Sequence, residues 1–143
     1  MKKIAMVVWN DFRNDARVLK EAESLTAAGH CVTVFAVHSP GLTPLRERVS
    51  NGVAVVRVPR HPLWRIHASR GSTVNVVAPA QRGAIGLAML VLSRVWAHLM
   101  LLWMIAKQRA DVVHAHDVNT LPTAWLAAKL SGAQIVYDAH EIS

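Results

Sequence analysis

Short apolar blocks punctuate this chain, and the polar stretches between them change the period from that of a strand to that of a helix. Residues 3–9 (KIAMVVW), Cys31–Val37 (CVTVFAV), 53–58 (VAVVRV), 111–116 (DVVHAH) and 134–138 (QIVYD) are short, apolar and rich in β-branched residues, which predicts five strands. Residues 15–28 put Val18, Leu19, Ala22 and Leu25 at helical spacing. Asn14 or Asp15 is placed to cap the start of that helix, and Gly29 suits a left-handed stop. A further helical segment, 118–130, is rich in alanine and leucine and stops before Gly132. Strands that are apolar along nearly their whole length, alternating with helices, predict a parallel sheet buried on both faces and joined by right-handed crossovers. The expected fold class is α/β: one doubly wound, Rossmann-like domain with strand order 3-2-1-4-5.

That order locates the candidate chemistry. In open α/β sheets ligands bind beyond the carboxyl ends of the strands, where strand order reverses, here between strands 3–9 and 111–116. Asn10, Asp11, His116 and Asp117 are expected at that crevice, with His140 and Glu141 joining them from beyond the fifth strand. His114 and His116, two apart on a strand, point the same way. Neither a cysteine nor a clear third ligand stands near them in sequence, so no metal site is expected, and His114 reads as a hydrogen-bonded core histidine. Asp117 has two open readings, as a functional carboxylate or, like Asn119, as the cap of the following helix. Arg17 lies in a first helical turn, where a cation opposes the helix dipole. Its partner is either Glu21, four residues on, or, as for Arg13, an anionic group of a substrate.

Charge sharpens the picture. The net charge is +7, and no Asp or Glu occurs from position 48 to position 110, so one side of the molecule should attract anions. Within that stretch, 59–80 is a long basic connection containing PRHPLWRIHASR. It is followed by the apolar segment 84–106, long enough to span a bilayer but carrying Arg94 and His98 near its middle. Three placements are open for this helix: against a membrane surface or partner, buried on the sheet, or spanning. Cys31 is the single cysteine and cannot form an internal disulfide. The alternation around it predicts a small buried hydrophobe in a cytosolic protein. The N-terminal apolar run is too short for an export signal.

No Gly-x-Gly-x-x-Gly, Walker loop or nucleophile elbow follows any strand, which argues against dinucleotide oxidoreductases, P-loop ATPases and α/β-hydrolases. The basic stretch with Trp64 has no RNA-binding signature around it, and no nucleic-acid partner is expected.

Along its whole length, through NDARVLKEAESLTAAGHCVTVFA and then ADVVHAHDVNTLPTAWLAAKLSGAQIVYDAHE, the chain resembles the N-terminal domain of a two-domain glycosyltransferase of GT-B fold, family 4 (group 1). HAHD and YDAHE, one helix and one strand apart, carry most of the likeness. The resemblance implies a retaining transferase that moves a sugar from a nucleotide-sugar to a glycan or lipid-linked acceptor in cell-surface polysaccharide synthesis. No cofactor or metal is implied. His140 matches the histidine that contacts the donor sugar, and Asp117 the acidic residue on the acceptor side; these two are the expected catalytic residues. Asn10, Asp11, Arg13, Arg17, His116, Asn119 and Glu141 are the expected substrate-binding set. The loop WNDFRND lacks the glycines many relatives carry there. The donor-binding half of such enzymes is expected to lie outside residues 1–143, leaving this chain inactive alone. Residues 57–106 would touch the inner face of the cytoplasmic membrane. The alternative is a non-catalytic half-enzyme that binds a partner subunit or membrane.

Overall fold

The computed structural model describes residues 1–60 and 83–139. Six strands form one sheet: β1 Lys3–Val7, β2 Cys31–Val37, β3 Arg46–Arg48, β4 Ala54–Val58, β5 Val112–Ala115 and β6 Gln134–Tyr137, in the spatial order β3-β4-β2-β1-β5-β6. The five strands expected from the apolar blocks all pair in parallel and take the expected order. The short strand β3 corrects the five-stranded expectation. It runs antiparallel along β4, with Arg46 opposite Val56 and Arg48 opposite Ala54. Its sequence, RER, has no apolar alternation because an edge strand needs only backbone pairing, and charged side chains there discourage a further strand from joining.

Three helices are seen among the described residues: α1 Ala16–Ala27, α2 Ala84–Gln108 and α3 Leu121–Ser131. Asp15 caps α1, its Oδ1 accepting from the Val18 amide at 3.2 Å. Gly29 follows the helix at φ +91°, and Gly132 ends α3 at φ +71°, both in the left-handed region that costs a glycine little. The pleat of the strands then sorts side chains into two cores. Ile4, Met6, Val8, Val34, Ala36 and Val55 face α1 through Val18 and Ala22. Ala5, Val7, Phe35, Val58, Val113 and Ala115 face α2 and α3 through Leu101, Ile105, Ala124 and Ala127. Leu101 and Ile105 are completely buried, each contributing about 2 to 3 kcal/mol by removal of its side chain from water.

Two expectations fare differently. Cys31 is exposed, not buried. It is the first residue of β2, in register with exposed Lys3, and the sheet's cover begins only with Val32. Helix α2 is neither wholly buried nor free. From Ala97 onward it lays Ala97, Leu101 and Ile105 on the sheet, whereas Ile85, Leu87, Val91, Leu92, Val95, Leu99 and Trp103 are exposed.

Candidate functional site at the sheet switch point

The parallel order reverses between β1 and β5, and the chain leaving each strand there is tied to the other. Trp9, just beyond β1, donates its backbone N–H to Asp117 Oδ2 at 2.7 Å. Asp117 therefore spends one carboxylate oxygen on bridging the two strand ends and makes no side-chain cap to the following turn. Asn119 is exposed in that turn, a 3₁₀ segment Val118–Thr120, and Thr120 stands at the cap position of α3 with its hydroxyl donating back to the Asp117 carbonyl at 2.9 Å, not to the helix. The indole of Trp9 stacks on His98 of α2, with ring centroids 4.4 Å apart and planes 5° from parallel. Arg94 lies over the same indole at 5.5 Å, and His98 Nδ1 is 2.8 Å from Thr123 Oγ1 of α3. Burial, with the Arg94 charge nearby, lowers the His98 pKa, so its ring is neutral in this stack.

The loop after β1 is held from both sides. Asn10 accepts the Phe12 amide at 2.8 Å and donates to Asp15 Oδ2 at 3.0 Å, a turn in which Phe12 takes a left-handed backbone (φ 55°) and buries its ring. Asp11 turns the other way, toward β2 and β4, pairing with Arg13 Nε at 2.7 Å and accepting from Ser39 Oγ at 3.0 Å. Burial by itself would raise the Asp11 pKa, but the hydrogen bonds from Arg13 and Ser39 outweigh it and the net shift is downward. Arg57, buried on β4, donates to the Asp11 carbonyl at 2.8 Å and the Pro44 carbonyl at 3.1 Å, and pairs with Glu47 of β3 at 2.5 Å. A cleft of about 590 Å³ opens beside this loop between Phe12, Arg13, Asn14, Leu19, Glu47 and Arg57. A smaller one of about 250 Å³ is lined by Asn10, Asp11, Asn14 and Asp15.

His116 follows β5 on the α1 side of the sheet and is 3% exposed. Its ring is 4.1 Å from that of His114, whose Nδ1 lies 3.1 Å from Glu21 of α1. Glu21 is thus turned toward His114, and Arg17 stands exposed near enough to His116 for its charge to be felt. Burial, and then the neighbouring His114, push the His116 pKa down to about 4 against the opposing pull of Asp138 and Asp15. Glu21, His114, His116 and Asp138 bring one ligating atom each to within 4.8 Å of the others, a set that could hold a metal. Sequence spacing could not suggest it, because the third and fourth ligands come from α1 and from beyond β6.

Of the expected site residues, Asn10, Asp11 and Asp117 gather around the β1 loop, on different flanks of it. His116 lies beneath, among the residues of the α1 face. Arg13 is committed to Asp11, and Asn119 and Arg17 are exposed. His140 and Glu141 lie outside the described residues. Sequence reading overlooked Trp9 and Arg57. For Arg57 a signal existed, since it is the one cation inside the apolar run VAVVRV.

A parallel, doubly wound sheet with polar side chains collected at its switch point defines a Rossmann-like ligand-binding domain. The chain belongs to the glycosyl transferase 4-like domain family, whose model matches residues 15–143, and it is a glycosyltransferase domain. Among solved structures it is similar to a sucrose-phosphate synthase from Thermosynechococcus elongatus, with a TM-score of 0.60 and 16% identity over 96% of this chain. It spans 32% of that enzyme's length. A hydrogenase C-terminal domain from Pyrococcus furiosus is also similar, with a TM-score of 0.57 and 16% identity, covering 96% of this chain and 90% of that one. At such identities the likeness shows the fold, with GT-B enzymes among its neighbours. No curated protein matches the chain by sequence.

Proposed function

We propose that this domain forms the acceptor side of a retaining, nucleotide-sugar-dependent glycosyltransferase that builds a cell-surface glycan. The observation that carries the reading is Asp117: a carboxylate at the switch point of a glycosyl transferase 4-like domain, anchored through Oδ2 to the Trp9 amide. Its other oxygen makes no hydrogen bond to a described residue. A carboxylate held by one oxygen is suited to accept or orient the proton of an incoming sugar hydroxyl through the other. Resemblance to family 4 enzymes supports His140 as the group that meets the donor sugar, where positive charge grows at the anomeric carbon. It also supports a donor site on a second domain and a reacting centre that uses no metal. Asn10 and Asp11, with Arg13, Arg17 and Asn119, would line the path of the acceptor, and the family resemblance adds Glu141 to that set.

The proposed acceptor is lipid-linked, and the domain works at the inner face of the cytoplasmic membrane. The supporting observation is α2, a 25-residue helix with mean hydropathy 1.8 whose apolar window is only 11% buried. It is long and apolar enough to cross a membrane, yet its C-terminal half is docked on the sheet, so contact in the plane of the membrane surface agrees better with its packing. The basic, acid-free stretch that precedes it in sequence would meet anionic headgroups.

The test is saturation-transfer NMR on the 143-residue chain, with polyprenyl-linked saccharides and free oligosaccharides on one side and nucleotide-sugars on the other. Saccharide binding that Asp117→Ala abolishes, with no nucleotide-sugar binding and no transfer by the chain alone, is the expected result. Tight nucleotide-sugar binding without saccharide binding, or sugar transfer by the isolated chain, would overturn the acceptor-side assignment. Failure to sediment with vesicles containing anionic lipid at low salt would remove the membrane contact.

A further inference from the structure

The α1 face of the sheet holds two buried imidazoles and two carboxylates that converge on one point. His114 and His116 point from β5 and its exit toward α1, 8% and 3% exposed. His114 Nε2 and both ring nitrogens of His116 are buried and have no hydrogen-bond partner among the described residues. Buried imidazole nitrogens are ordinarily paired, because leaving one unpaired forfeits its hydration without replacement. Glu21 reaches the pair from the middle of α1. Asp138 reaches it from beyond β6, its amide bonded to Ala115 O at 3.1 Å, which sets it beside His116. The four groups therefore come from three separate elements and converge to within 4.8 Å.

We propose that Glu21, His114, His116 and Asp138 bind a divalent transition-metal ion of the zinc type, clipping α1 to the ends of β5 and β6. Two imidazoles and two carboxylates are a borderline donor set that suits zinc and its first-row neighbours. Magnesium and calcium favour oxygen alone, and copper(I) favours thiolate. Four ligands at about 2.0 to 2.2 Å from zinc sit about 3.4 Å from one another in a tetrahedron, so the cluster closes on the ion by an ångström or so at its widest pair. The two carboxylates, on partly exposed and rotatable side chains, can make that adjustment while the histidines stay packed. The ion would brace the strand end that carries Asp117 without entering the transfer reaction, so this inference stands or falls independently of the acceptor-side reading.

Untagged chain, stripped with EDTA and exchanged into chelator-free buffer, would be titrated with ZnCl2 by calorimetry and melted with and without the ion, with Co2+ as an optical probe. The expected result is one Zn2+ per chain and a rise of several degrees in melting temperature once Zn2+ exceeds its Kd about 100-fold. Visible bands of four-coordinate Co2+ should appear. Glu21→Gln and Asp138→Asn keep side-chain shape and should each weaken Zn2+ at least about tenfold. His116→Asn should weaken it further, and His30→Gln, away from the cluster, should not weaken it. The carboxylate variants decide the matter even if the histidine variant fails to fold. Absence of saturable one-to-one binding, binding that survives both carboxylate substitutions unchanged, or equal stabilisation by Mg2+ or Ca2+ would each overturn the proposal.

Discussion

Replacing Arg57 by methionine should be among the most costly single changes on the strand side of the site, and its size can be worked from the contacts. The guanidinium is 1% exposed at its side chain and serves three groups at once: the Asp11 carbonyl, the Pro44 carbonyl and the Glu47 carboxylate. Methionine keeps the apolar stem, so packing loss is small and the polar loss dominates. Removing one partner of a fully buried ion pair costs about 3 to 5 kcal/mol, chiefly because the other charge is stranded. Glu47 is 32% exposed and can regain water, which lowers that part, but two loop carbonyls lose a charged donor at about 1 kcal/mol or more each. The expected loss is about 3 kcal/mol. With an unfolding entropy of about 0.3 kcal/mol/K for a chain of this length, the melting temperature should fall by about 10 °C. Urea denaturation gives the free energy and circular dichroism the melting temperature. Glu47→Gln, which leaves both carbonyl bonds, should cost only about 1 kcal/mol. If Arg57→Met cost under about 1 kcal/mol, or if Glu47→Gln cost as much as Arg57→Met, the view of Arg57 as a clamp on the loop that carries Asp11 would be wrong.

Leu101→Ala, in the completely buried seam of α2, should cost about 3 kcal/mol in urea denaturation, whereas Leu92→Ala on the exposed face should stay within about 0.5 kcal/mol; similar losses would contradict the docking of α2 by one side. Gly132→Ala places a side chain at φ +71° where no neighbour obstructs it, so the cost should be backbone strain alone, about 1 kcal/mol, and no loss of stability would show that α3 ends differently. His98 is held neutral in its stack by a lowered pKa. As pH falls through about 6.5 the unfolded chain takes up that proton before the folded one, so this residue's contribution is complete above that pH and is lost on acidification. His98→Gln should therefore lose less stability than the parent between about pH 7.5 and pH 5, and identical losses would refute the assignment.

How much could be read without coordinates follows from where each signal resides. Strand blocks, the Asp15 cap and the glycine stops at Gly29 and Gly132 depend on residues close together in sequence, and each appears where the apolar and polar pattern puts it. The order of the five parallel strands was equally legible, since short right-handed crossovers between buried strands leave few arrangements. Strand β3 was not, because three charged residues carry no period and take their conformation from the edge of β4. Nor was the exposure of Cys31, which depends on where the cover of the sheet begins.

At the site the sequence alone determined which loops would meet, the exits of β1 and β5, and named Asp117 among them. Only the tertiary structure decided what those residues do there: that Asp117 holds the Trp9 amide, that Arg57 reaches from β4 to the loop, and that Glu21 and Asp138 complete a cluster around His114 and His116. The physical reason is that a strand's period tells which face a side chain takes, whereas its partners on that face belong to elements brought together by the packing of α1 and the register of β6 against β5.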